Sequence, residues 1–155
     1  MISTLTRKPL KYGILNDTDM LSRIPAVPLK ASEVFVNQSG KFVSNDTGAA
    51  DVSVAGDTQI LGWANVSAGT VGTGEYAEVY NDPSGRFCIG ATSGDLPSAT
   101  EKLGYTCDLE VNTNVQTANT DASSTDVIVV YDTNTEFNLC EVGLNPIKLY
   151  TAGVS

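Results

Sequence analysis

A chain of 155 residues and 16.3 kDa is long enough for one domain with a real core and too short for two. Leu, Ile, Val and Phe make up a quarter of it, which excludes wholesale disorder, and a net charge of −9 is the wrong sign for a body that must neutralise nucleic-acid phosphates. Histidine is missing altogether, which removes the commonest general base, the Ser/His and Cys/His nucleophile pairs and the commonest zinc ligand.

The chain opens with a segment of different character. Residues 1–41 hold six basic side chains, Arg7, Lys8, Lys11, Arg23, Lys30 and Lys41, against Asp17, Asp19 and Glu33, a net of +3. The other 114 residues carry a net of −12. Three of the six prolines, Pro9, Pro25 and Pro28, bias their predecessors toward extended backbone. This composition points to an N-terminal arm over 1–32 and a body over 33–155, with the arm lying on something acidic. Arg7, Lys8 and Lys11 are the candidate charged contacts and Leu10, Tyr12, Ile14 and Leu15 the apolar ones, on a partner or on a neighbouring protomer. The competing reading is that 1–32 packs over its own domain.

From residue 33 onward the pattern is short β-branched and aromatic runs separated by turn residues. Glu33 to Val36 and Lys41 to Val43 flank Asn37-Gln-Ser-Gly40 and read as a hairpin. Asp51 to Val54 and Gln59 to Val66 are further candidate strands. Tyr76 to Tyr80, the turn Asn81-Asp-Pro-Ser-Gly85 and Arg86 to Ile89 read as a second hairpin. Ser98-Ala-Thr-Glu101 is a capping-box pattern, worth a turn or two of helix. Tyr105 to Val111 is a strand, and 112–125 a long exposed loop or an extended hairpin tip.

Val127-Ile-Val-Val-Tyr131, a polar turn through Asp132, Thr133 and Asn134, and the alternating Phe137 and Leu139 form a third hairpin. Because the run is apolar on both strand faces, it needs cover on both, and Val127, Val129 and Tyr131 are candidates for a subunit interface. Ile147 to Thr151 closes the series. The expectation is an all-β fold, an antiparallel β-sandwich or barrel with an extended N-terminal arm and minimal helix. With few bulky apolar residues, its core is expected to be thin and built from valine, and association would help it.

Cys88, Cys107 and Cys140 are too far apart for a zinc knuckle and too few for a disulfide framework. The glycines of Ala68-Gly-Thr-Val-Gly-Thr-Gly74 have no helix pattern behind them to make a phosphate cradle. No cofactor, no metal and no catalytic residues are expected. No apolar run approaches the roughly 18 residues of a membrane span, and the opening residues lack a signal-peptide stretch. The expected setting is a cytoplasm, with no membrane and no nucleic acid as partner.

Four stretches, Val71-Gly-Thr-Gly-Glu75, Ser84-Gly85, Leu96 to Tyr105 and Asp126 to Tyr131, resemble in their order the small capsid decoration, or cement, proteins of tailed bacteriophages. The resemblance covers roughly 33–150 as an ordering of strands and glycines. It implies a non-enzymatic structural virion protein, commonly a homotrimer. Such a protein is made in the host cytoplasm and sits on the outside of an icosahedral head, where it bridges major capsid proteins. The rival readings are a phage tail or fibre component, or another β-rich module for a glycan or protein ligand. A glycan reader needs an exposed aromatic platform, for which Trp63 and Tyr80 are the candidates. An enzyme of small substrates needs a pocket of carboxylates with raised pKa values.

Overall fold

The computed structural model describes residues 10–35, 39–92 and 104–150. Among them the chain is all-β, with eleven strands: β1 (Gly13–Ile14), β2 (Arg23–Pro28), β3 (Lys41–Asp46), β4 (Ala49–Val52), β5 (Gly62–Ala64), β6 (Tyr76–Tyr80), β7 (Phe87–Ala91), β8 (Thr106–Asn112), β9 (Val115–Asn119), β10 (Ile128–Asn134) and β11 (Leu139–Leu144). Helix is confined to two single 3₁₀ turns, Thr18–Met20 and Pro146–Lys148. The side chains of Asp17 and Asn145 open these turns by accepting from the amides of Asp19 and Ile147.

The strands form two sheets. The first has the order β1-β7-β11-β10-β8-β9, and β9 returns to β7 in a parallel pairing, Gly90 opposite Thr117 and Ala91 opposite Ala118. The other half of that edge of β7 takes β1, Gly13 opposite Cys88 and Ile14 opposite Phe87. The second sheet has the order β2-β6-β5-β3-β4, and a parallel bridge from Leu29 to Ala50 joins its two ends. Both sheets therefore close on themselves, in the manner of small barrels.

Strand alternation divides the core. Phe35, Val43, Val52, Val71 and Val79 fill the second sheet's interior, while Phe42, Trp63 and Tyr80, one residue away on β3, β5 and β6, join Phe87, Ile89, Leu109, Ile128 and Leu144 of the first. Valine is the commonest buried apolar residue, as expected, but the junction between the two interiors is aromatic. Trp63 stacks on Phe87 at 5.1 Å and 16°, and Phe42 meets both edge-on at 5.0 and 5.3 Å. Each such buried ring contributes about 1.5–3 kcal/mol, and the geometry is the one aromatic quadrupoles favour.

The N-terminal segment differs from the expectation of an arm. Within the described residues, 10–32 is built into the body: β1 extends the first sheet, β2 pairs with β6, and Leu21, Val27 and Leu29 are buried. Two of its basic side chains are paired within the chain, and the buried Lys41 follows in β3. Arg23 lies 3.5 Å from Glu78, Lys30 lies 2.7 Å from Asp46, and Lys41 is wholly buried. The +3 excess that suggested an acidic partner is partly neutralised by the acidic body itself.

Two hairpins are re-paired. β3 turns back on β4 through Thr47 and Gly48, both at positive φ, and not on residues 33–36. Residues 33–35 run instead beside 69–71, with Phe35 N–H donating to Gly69 O at 2.6 Å. β6 and β7 belong to different sheets, so the 81–85 turn is a corner. The Asp82 carboxylate fixes it by accepting from the amides of Ser22 and Ser84.

The β10–β11 hairpin forms as expected. Most of the 112–125 stretch is the hairpin of β8 and β9, turning at Thr113 and Asn114 with positive φ. In place of a strand at Ile147 there is the 3₁₀ turn, followed by a single bridge from Leu149 to Ile60. The capping-box pattern at Ser98–Glu101 lies outside the described residues.

Candidate functional site

Of the proposed arm contacts, Arg7 and Lys8 lie outside the described residues. Tyr12 is half-buried: its hydroxyl donates to Gly40 O at 2.7 Å and its ring tilts over Trp63 at 5.9 Å. Gly40 is required there, because a Cβ would lie 2.6 Å from the Trp63 indole nitrogen. Burial, with a smaller push from Cys88, holds the Tyr12 phenol far above its ordinary range. Ile14 packs on the first core, Leu10 is half-buried, and Leu15 N–H donates to Arg86 O at 2.8 Å. Among the described members of this set, Lys11 and Leu15 are exposed.

Val127, a candidate for a subunit interface, is 0% exposed and belongs to the chain's own core, so its apolar character is used internally. Val129 is half-buried opposite Gly143. Tyr131 lies across Gly143, where a Cβ would meet its ring at 2.8 Å, and the Arg86 guanidinium sits 3.6 Å from the ring centre. The cover that the apolar run demanded comes largely from the same chain. Trp63 and Tyr80 are also buried, which removes them as an exposed stacking platform. The Tyr80 hydroxyl donates to Glu78 at 2.6 Å.

A cavity of about 260 Å³ brings together Glu33, Lys41 and Asp51, with Val52, Val111 and Asn114 in its wall. Lys41 is fully buried and its ammonium donates to Val34 O at 2.6 Å and Asn114 O at 2.5 Å, 5.6 Å from the centre of the Phe35 ring. Burial lowers its pKa, and Glu33 pulls it back. Burial, then the charges of Asp57 and Glu33, push the Asp51 carboxyl up to about 6. With its protons committed to two carbonyls, Lys41 is placed as a post between the sheets and not as a nucleophile. Nothing in Gly40-Lys-Phe-Val43 marks that lysine as buried, so its role is invisible before the β8–β9 turn is placed against β3.

Burial pushes the Cys88 and Cys140 thiols up to about 11 and about 12, which leaves them as inert core groups. Among the described residues, no three His, Cys, Asp or Glu side chains gather where they would hold a metal ion. No described helix is long and apolar enough to cross a membrane. What the body does present is a set of large outward side chains, including Met20 (79% exposed), Tyr76, Tyr105, Phe137 and Ile147 (88% exposed). Compared with known proteins, the chain matches no family model, no curated sequence and no solved structure.

Proposed function

We propose that this chain is a structural virion protein. It binds the outside of an icosahedral phage head as a homotrimer and stabilises the shell by bridging major capsid proteins. The observation that carries this reading is the set of exposed large apolar side chains, Met20 and Ile147 above all, on a body whose core is already complete. Side chains of this size anchor interfaces when buried. Multivalent attachment of a trimer makes several modest patches sufficient. What suggests a capsid in particular is the resemblance of four stretches of the sequence over 33–150 to decoration proteins.

The test is cryo-electron microscopy of shells incubated with the purified protein, with Met20→Asp and Ile147→Asp variants alongside. Trimeric density on the outer surface, lowered at least about tenfold in occupancy by either substitution, is the expected result, about 1.4 kcal/mol or more per copy. Bare shells overturn the reading. Sedimentation equilibrium tests the trimer, and a monomer both in solution and on the shell removes it.

A further inference from the structure

A cleft of about 450 Å³ opens beside the β5–β6 connection, lined by Leu29, Asn65, Ser67, Thr70, Glu75 and Tyr76 together with neighbouring small residues. Tyr76 begins β6 on the face opposite Ala77 and is 64% exposed, while Phe35, Phe42, Trp63 and Tyr80 of the same layer are buried. Among the described residues, the side chains of Asn65, Ser67, Thr70 and Tyr76 make no hydrogen bond within the chain. Glu75 is held at the rim, one carboxylate oxygen accepting from Gly72 N–H at 3.1 Å.

The backbone around these free side chains is tied down. Val71 N–H donates to Glu33 O, Phe35 N–H to Gly69 O, Leu29 N–H to Glu75 O and Asn65 N–H to Glu78 O. A cleft whose frame is fixed before binding loses little conformational freedom on occupation. Its lining contains no Lys or Arg, which disfavours phosphate and sulfate, and too little apolar surface for a hydrophobic peptide anchor. What remains is an aromatic face beside an amide, two hydroxyls and a carboxylate. That set suits the C–H face and vicinal hydroxyls of a neutral pyranose, and the volume lies within the range of small-ligand sites.

We infer that the Tyr76 cleft is a saccharide-binding subsite for a neutral hexose or N-acetylhexosamine unit. Tyr76 stacks on the sugar ring, while Asn65, Ser67, Thr70 and Glu75 bond its hydroxyls. This inference does not rest on capsid attachment, since it is argued from the lining of the cleft alone and concerns a different ligand.

The experiment is an amide NMR titration of the full chain with glucose, galactose, mannose, N-acetylglucosamine and N-acetylgalactosamine, and with oligomers of whichever binds. Saturable shifts confined to 65–76 and neighbouring 29–35, with dissociation constants of about 1–10 mM, are expected. Tyr76→Ala weakens binding about tenfold or more, while Tyr105→Ala, at another exposed tyrosine, leaves it unchanged. Dispersion of the variant spectra verifies folding, which an exposed Tyr76 does not govern. Tighter binding of oligomers identifies an envelope polysaccharide as the source, and equal binding identifies a free sugar; either supports the subsite. The proposal is overturned by the absence of shifts at about 50 mM sugar, by shifts elsewhere, or by binding indifferent to Tyr76→Ala.

Discussion

The carboxamide of Gln116 serves the backbone of Phe42 as a neighbouring strand would. Its Oε1 accepts from Phe42 N–H at 2.8 Å and its Nε2 donates to Phe42 O at 2.9 Å. The same nitrogen donates to Ser53 O at 2.9 Å. Gln116 belongs to β9 and Phe42 to β3, so one fully buried side chain stitches the two sheets together. Gln116→Leu keeps the bulk but strands Phe42 N–H and Ser53 O in the core, while Phe42 O keeps its bond from Ser53 N–H at 3.0 Å. The expected cost is about 3–5 kcal/mol, from lost bonds and unsatisfied backbone. Urea denaturation measures it, and a loss below about 1 kcal/mol would assign the stitching to other contacts.

Two truncations separate the opening residues by role. Deleting 1–15 removes β1, the Tyr12 bond to Gly40 and its contact with Trp63, and lowers the melting temperature by about 10 °C. Deleting 1–9 removes Arg7 and Lys8 without touching those contacts, so the fold is retained while attachment to shells weakens. Equal melting temperatures for the longer deletion and the full chain would restore a free arm.

Asp51 gives stability an unusual pH dependence. Its folded pKa of about 6 lies above the value near 4 of an unfolded aspartate, so the folded protein holds this proton more tightly. That contribution is complete below about pH 4 and is lost as pH rises through about 6. Asp51→Asn therefore matches the wild type near pH 4 and melts at a higher temperature at pH 8, the gap widening between. Thermal melts across this range check it, and a gap that narrows with pH contradicts the assignment.

Asp108 works in the opposite sense. Burial pushes its carboxyl up, but hydrogen bonds from the amides of Asp126, Thr125 and Ser124 outweigh this and hold it below the usual range. Its contribution is present at neutral pH and lost as pH falls through the lowered folded pKa. Asp108→Ala frees three amides and is expected to cost about 3 kcal/mol at pH 7, with a smaller cost in strong acid. Equal costs at both pH values would show that its charge is irrelevant.

A thiol reagent at pH 8 should leave Cys88 and Cys140 untouched in the native protein and label them in denaturant, because their pKa values of about 11 and about 12 leave almost no thiolate. Rapid native labelling of either would place it outside the core.

What the sequence made legible was local. The β10–β11 hairpin followed from one apolar run, a polar turn and an alternating return, all within a single stretch of chain. The two misread hairpins failed where distant partners decided. Asn81-Asp-Pro-Ser-Gly85 has the composition of a hairpin turn, yet Ser22, far away in the chain, captures Asp82 and turns it into a corner. The arm reading counted charge and proline correctly but had no means of seeing Glu78 and Asp46 beside Arg23 and Lys30. The exposure of Tyr76 could not be read from alternation, since Tyr80 four positions on is buried, and its cleft depends on the loop folding back beside residues 33–35.

Closure of the two sheets has a consequence for life at high density. β9 would end the first sheet, but it is paired on one side with β8 and on the other with β7, while Leu29 and Ala50 join the ends of the second. At β9, and where Leu29 meets Ala50, the amides and carbonyls are taken up within the chain and a neighbouring copy has no place to add a strand. Copies held close together are then shielded at these places from strand-to-strand association. Their mutual contacts are left to side chains, where single substitutions adjust fit one neighbour at a time.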